Sequence, residues 1–243
     1  MKMALGENPK RCYGSSNKTP LTRMASAALM REWLFKAKEY HDKKAKYESD
    51  LKAGKDNITK PPFDMKLESL SRVFDGMLVK IHAHQADDIA TAMRIAKEFN
   101  LNMTVEHCTE GYLIPDALKK NNQRCIIGPT LGGKSKYELK EKSFISGKVL
   151  YDNNILFAIM TDHPVIEQKH TLVQLALFVK EGLPELAALK AITINAAKVC
   201  EIDDRVGSIK DGKDADIVIW SGNPLDIMTK ADVVILNGQI KKQ

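Results

Sequence analysis

Residues 77–108, MLVKIHAHQADDIATAMRIAKEFNLNMTVEHC, decide the fold. The stretch opens on an apolar run of strand length, MLVKI (77–81), and closes on another, NMTV (102–105). Between them Ile89, Ala92, Met93, Ala96 and Phe99 recur at helical spacing and make one apolar face. A strand, a helix and a second strand in so short a span form a βα unit. Strands joined in this way run parallel, because the helix carries the chain back to the same end of the sheet.

Working outward, the unit repeats. RCII (124–127) and ILFAIM (155–160) are further buried runs, and helices are expected at about 168–181 and 184–197, the second opened by Pro184. Upstream, Leu21, Met24, Ala25, Ala28 and Leu29 predict a long helix over 20–52. Its second half, HDKKAKYESDLKAGK (41–55), is polar enough to project from the body before a loop at 53–62 and a helix over 64–75. The opening MKMALG leaves room for one strand. At the other end GSIKDGKDADIVIWSGNPLD (207–226) and ADVVILNGQI (231–240) are β-branched runs between Gly, Asp and Asn, the pattern of antiparallel hairpins.

Composition narrows the classes. With 243 residues, 44% of them hydrophobic and 28% charged, the chain can build a true core and is not a disordered segment. No stretch reaches the ~20 apolar residues of a membrane span, and MKMALGENPK lacks the apolar core of a signal peptide. Membrane and secreted classes are therefore set aside. The net charge of +6 is dispersed apart from a lysine-rich segment near 36–60 that also carries acids, which reads as a solvated face and not as a nucleic-acid stripe. Cys12, Cys108, Cys125 and Cys200 form no CxxC pair, so free thiols in a reducing, cytoplasmic setting are expected.

The chemistry lies where the buried strands stop. MLVKI runs into His82, with His84 two residues on; NMTVE ends at His107; ILFAIMT ends at Asp162, followed by His163. His82 and His107 are 25 residues apart, one βα unit, and Asp162 lies 55 beyond His107, two units with RCII between. In a (β/α)8 barrel the functional groups sit at the C-terminal strand ends on one face. Two imidazoles and a carboxylate delivered there are the set that divalent metals take in open catalytic sites. His84 shares a face with His82 and is expected in a supporting or substrate-binding role. His41 is expected to be exposed and His170 to be structural.

At these residues the sequence resembles the metal-dependent amidohydrolase superfamily, in the branch similar to imidazolonepropionase and related cyclic-amide hydrolases. The matching pieces are GENPKR (6–11), VKIHAHQADDI (79–89), VEHCTEGY (105–112), MTDHPV (160–165) and GSIKDGKDADIVIWSGNP (207–224). The resemblance implies an α/β fold: an incomplete (β/α)8 TIM-type barrel over 1–200, and over 201–243 the C-terminal portion of a small β-sandwich. It makes His82 the histidine of the fifth barrel strand, His107 that of the sixth, and Asp162 the aspartate of the eighth. Asp162 is then both a metal ligand and the group that takes a proton from the attacking water. Glu110 joins His84 and His163 as a supporting or substrate-binding residue, and Glu7 and Lys2 stand near where a bridging metal ligand would come. The implied cofactor is a divalent ion, zinc first, with iron, manganese or cobalt also suited to this set. The implied reaction is hydrolysis of a C–N bond in a cyclic amide, a dipeptide or a similar small substrate.

One departure qualifies the resemblance. The family's first strand supplies a His-x-His pair, and here the only such pair, His82-Ala83-His84, belongs to the fifth-strand motif. About five of the eight strands are present. The expectation is a truncated chain, short of metal ligands, whose barrel is closed by a missing N-terminal portion or by a homo-oligomer partner. Nothing points to nucleic acid or a membrane. The alternative function is a catalytically incomplete fragment that serves only as a structural or oligomeric component.

Overall fold

The computed structural model describes every residue except Ser15, Asn17 and Gln243, the last of which closes the expected C-terminal segment. In chain order the elements are β1 (Lys2–Ala4), α1 (Glu7–Gly14), α2 (Arg23–Lys52), α3 (Met65–Ser71), β2 (Val79–Ala83), α4 (Ala86–Glu98) and β3 (Met103–His107). They continue with α5 (Pro115–Lys120), β4 (Arg124–Ile127), α6 (Ile145–Asp152), β5 (Phe157–Ile159), α7 (Thr171–Lys180), α8 (Glu185–Ala191) and α9 (Ile194–Val199). Last come β6 (Ile217–Trp220), β7 (Ala231–Leu236) and β8 (Gln239–Lys242). One sheet has the strand order β1-β2-β3-β4-β5, each strand beside its predecessor, and a second has the order β6-β7-β8. The pairs β1–β2, β3–β4 and β4–β5 are parallel, as the βα pattern requires.

Contacts gather the chain into two compact units, residues 1–83 with 90–103, and residues 84–89 with 104–243. In the first unit α2 starts because the Thr22 side chain accepts from the Ala25 N–H, satisfying one of the donors a helix leaves open. Leu34, Ala37 and Tyr40 form its buried face. The polar second half was expected to project, and the structure corrects part of that. Tyr40 donates to Glu68 of α3 (2.9 Å), Lys44 bonds the same carboxylate, and His41, half-buried, lies 3.0 Å from Asp75. Buried aromatic area and a shared acid hold this stretch against α3; the chain beyond Lys44 is the more exposed part. Arg31 grips Glu98 with two nitrogens, and Phe35 meets Phe99 edge-on at 4.8 Å.

In the second unit Ile126, Ala158 and Val199 pack together, so the strands β4 and β5 bury one side against α9. The helix expected over 184–197 is two helices. Thr193 leaves the helical region (φ −122°, ψ −104°), and its hydroxyl bonds back to the Leu189 carbonyl at 2.8 Å, giving a terminal acceptor a partner where α8 stops. Pro184 stands just before α8, not within its first turn. The tail forms antiparallel hairpins as read, and Asn237 and Gly238 both take positive φ in the tight turn between β7 and β8. Among the described residues the tail makes this single three-stranded layer.

Candidate metal centre

Residues β2 and β3 bring the chemistry together because their strands are buried on both faces. Val79, Ile81 and Ala83 are fully buried, and alternation sends His82 and then His84 to the opposite side. His82, His84 and His107 are all buried, and one ring nitrogen from each lies within 4.8 Å of the others. His84, expected from the sequence in a supporting role, is a member of the same group.

Each ring is held. The His107 Nδ1 lies 2.8 Å from the Gly128 carbonyl, which can only accept, so Nδ1 carries the proton and Nε2 keeps its lone pair. The His84 Nδ1 is 2.7 Å from Thr109 Oγ1, and its ring lies over His107 with centroids 4.5 Å apart. The Asn8 amide nitrogen approaches His82 Nε2 at 3.3 Å, and the His82 carbonyl accepts from Leu5 N. His107 also has φ +70° and Cys108 φ +44°, a left-handed backbone that L-residues enter rarely and that accumulates at functional sites.

Supporting residues fix this geometry. Gly128, at φ +115°, must be glycine: a Cβ there would fall 2.2 Å from the Met160 carbonyl oxygen. The fully buried Gln174 spans the same gap, donating to Met160 O (2.9 Å) and accepting from Thr130 N (2.8 Å). Glu110 is buried near the start of α4, where its Oε2 accepts from Ala86 N at 2.8 Å, while its N–H donates to the His84 carbonyl. Its Oε1 is buried with no hydrogen-bond partner. Burial, then the Glu141 and Glu110 carboxylates, push the Tyr112 phenol up. Hydrogen bonding to Cys108, reinforced by burial, pushes the Cys125 thiol well above its ordinary value.

The other candidates stand elsewhere. Asp162 follows β5 at φ +53°, is exposed, and is not a member of the histidine group. It lines an open cavity of about 790 Å³ together with His163, Gln168, Lys169 and Trp220. His163 is exposed, its Nδ1 3.4 Å from the Gln168 N–H. Glu7 lies half-buried in the first turn of α1 and Lys2 is exposed on β1; neither belongs to the group. His170 sits at the start of α7, outside the group as well.

Sequence reasoning missed Glu138. It is completely buried, with Oε1 3.6 Å from His84 Nε2 and 3.6 Å from Lys136 Nζ. The only signal was a pair of acids, Glu138 and Glu141, in the lysine-rich loop KSKYELKEK (134–142), and nothing in that pattern says which one turns inward.

The donor set fits a divalent metal: three buried imidazoles converge, and one of them has its ring proton placed on the nitrogen facing away from a ligand role. His82, His107 and His84 are the residues that would hold it.

The model of the family described as the amidohydrolase family matches residues 37–242. The crystal structure of an amidohydrolase from Thermotoga maritima MSB8 superposes with a TM-score of 0.92 at 40% identity, over 100% of this chain and 62% of that one. Amidohydrolase tasK of Hapsidospora irregularis is 28% identical over an alignment 247 positions long that covers 93% of this chain and 24% of that protein. An imidazolonepropionase of Desulfotalea psychrophila is 27% identical over 154 residues, 60% of this chain and 35% of its own length. The chain thus spans less than two thirds of each of these relatives. A parallel sheet built from βα units, histidines gathered at its strand ends, and a family match over most of the length lead to one assignment: the chain belongs to the amidohydrolase family.

Proposed function

We propose that this chain carries the active site of a metal-dependent hydrolase that breaks a C–N bond in a cyclic amide, a dipeptide or a similar small substrate. The observation that carries the reading is the buried group His82, His84 and His107 at the ends of β2 and β3. A divalent ion bound there, zinc first by its preference for imidazole nitrogen, lowers the pKa of water towards neutrality and polarises a carbonyl.

The chain's own residues supply the rest. The Gly128 carbonyl holds the proton of His107 on Nδ1, so the Nε2 lone pair stays available. Burial of all three rings keeps bulk water from competing for their nitrogens. Asp162 is assigned the proton transfer, with its carboxylate accepting a proton and returning it to the leaving nitrogen. His163 and Lys169 share its cavity and offer groups that can bind substrate. Free thiols at all four cysteines support a reducing, cytoplasmic setting. No helix among the described residues is long and apolar enough to cross a membrane.

The test is metal content and turnover. Purified chain incubated with zinc and desalted is expected to retain about one ion per chain, and to hydrolyse at least one member of a panel of imidazolones, hydantoins and dipeptides. A chain that retains no zinc, iron, manganese or cobalt overturns the reading.

A second reading is favoured by the position of Asp162, exposed and outside the histidine group, and by the 62% coverage of the Thermotoga relative. In it the chain binds metal yet turns over substrate only when another polypeptide, a second copy of the chain or a longer protein, completes the sheet. Turnover by monomeric chain, with mass measured by light scattering, rules this out.

A further inference from the structure

The loop between β4 and α6, residues 128–144, carries four lysines and two glutamates. Where those charges go decides what the loop can do. Lys136 lies 3.6 Å from the buried Glu138, so that cation has a counter-ion. Lys140 donates to the Tyr137 hydroxyl at 3.2 Å and stands 4.9 Å from the centre of that ring. Tyr137, then the Glu141 and Glu110 carboxylates, favour its charged form.

Lys134 and Lys142 are held differently. The Lys142 ammonium donates to the carbonyls of Gly132 and Gly133, each at 2.9 Å, and that of Lys134 donates to the Lys140 carbonyl. These acceptors are neutral, and among the described residues neither cation is paired with a carboxylate. Burial, then the Lys134 charge, push the Lys142 ammonium below its ordinary value. Two like charges without a counter-ion, one of them half-buried, are an unfavourable pair until an anion joins them.

Other lysines of the chain do not share this arrangement. Lys36, Lys38 and Lys148 each meet an acid one helical turn away. A lysine free on its flexible stem also loses rotamer entropy when it closes on a ligand. Lys142 is already fixed by two carbonyls, so little of that entropy remains to be lost. An ammonium has three N–H donors. Lys142 uses two of them and Lys134 one, which leaves one and two donors for a ligand. Oxygen anions form the short, charge-assisted bonds that such donors make. The loop leaves β4 at Gly128, the carbonyl of which holds His107, and loops in that place recognise substrate in barrel enzymes.

We propose that Lys134 and Lys142 form a binding site for an oxyanion, the carboxylate or phosphate group of a small acidic molecule. Within the hydrolase reading given above, on which this step rests, that group belongs to the substrate. The substrate is then an acidic amide and not a neutral one.

The test titrates the metal-free 243-residue chain and follows the side-chain signals of Lys134 and Lys142 in protein carrying 13C at lysine Cε. Lys134→Met and Lys142→Met assign the two signals. The probes are N-acetylglycine, its uncharged amide N-acetylglycinamide, inorganic phosphate, and sodium chloride at equal ionic strength. N-acetylglycine or phosphate is expected to move both signals saturably, and the tighter of the two identifies the group that the site takes. N-acetylglycinamide and chloride are expected to leave the signals in place. Each Met variant is expected to weaken binding about tenfold, read on the remaining lysine. Lys148→Met removes a cation already paired with Asp152 and should change binding by less than about twofold. Lys134→Met alters an exposed side chain, which keeps the test decisive should Lys142→Met fold poorly. Unmoved signals with both oxyanions, or equal movement by chloride or the amide, overturn the site. No metal is present in these titrations, so they decide the anion site by themselves, and failure of the wild-type chain to take up zinc overturns only the hydrolase reading.

Discussion

The ends of β3 and β5 read alike in sequence and behave differently in the fold. Each strand is short and buried, and each leads to a polar residue in the left-handed region: His107 closes β3 at φ +70°, and Asp162 stands three residues past β5 at φ +53°. His107 is buried and pinned through its Nδ1 to Gly128, the residue that ends the neighbouring strand's run. Asp162 is exposed, and its backbone carbonyl accepts from Val165 in a local turn. The position in the sheet accounts for the contrast. β3 has β2 on one side and β4 on the other, whereas β5 is the last strand in the order. A strand-end side chain becomes part of an enclosed site when both neighbouring strands close around it; at an edge only one does.

The largest effect should come from breaking the closure around β3. Gly128→Ala places a methyl group 2.2 Å from the Met160 carbonyl at a backbone angle, φ +115°, that alanine resists. The chain ends of β4 and β5 must separate to admit it, and the His107 acceptor moves with them. We expect a loss of more than about 3 kcal/mol, seen as a fall of roughly 6–12 °C in the melting temperature for a chain of this size. A melting curve unchanged within 2 °C would show that the strand ends give way easily, and the contrast with β5 would lose its physical basis.

Next in size is the response of metal binding at the two strand ends. His107→Gln is expected to weaken zinc binding by more than about a hundredfold, since it removes a donor of the group itself. Asp162→Asn, outside that group, should change zinc affinity by less than about threefold and stability by less than about 0.5 kcal/mol, as befits an exposed residue. Calorimetry with zinc on both variants reads the first quantity and urea unfolding the second. A tenfold loss of zinc affinity in Asp162→Asn would bring the aspartate into the group and remove the distinction between an enclosed strand end and an open one.

The same contrast explains how much of the molecule could be read beforehand. Strand order and strand-end histidines were legible because they depend on local pattern: apolar runs set the buried strands, and alternation with helical stripes made them parallel. The Asn237-Gly238 turn was legible for a similar reason, since its backbone angles restrict the residues allowed. What escaped depends on contacts between distant segments. Glu138 reaches His84 from more than fifty residues away in a loop whose composition suggests solvent. Gln174, a polar residue in the middle of the apolar helix TLVQLALFVK, gave no sign that it bridges β4 and β5. The second half of α2 looked like a projecting arm because its charges outnumber its apolar groups, yet one tyrosine and one shared carboxylate suffice to hold it down.

The gentlest probe of the comparison uses the cysteines, because one of them follows His107 directly and another lies in β4. Cys108 and Cys125 are buried, and the neighbouring Cys108 thiol, with burial, raises the Cys125 thiol well above its ordinary value, so little thiolate forms near neutral pH. Cys12 is exposed and Cys200 half-buried. Ellman's reagent at pH 8 should therefore react promptly with Cys12, more slowly with Cys200, and with Cys108 and Cys125 only after the chain is unfolded. The rate of the two buried thiols reports how often β3 and β4 part at their ends, because a reagent of that size cannot reach them otherwise. If the closure around His107 is as tight as the Gly128 contact implies, those thiols should label no faster than global unfolding, and Gly128→Ala should release them. Prompt labelling of all four in the native chain would mean that the end of β3 opens as freely as the end of β5, and the enclosure would then not separate one strand end from the other.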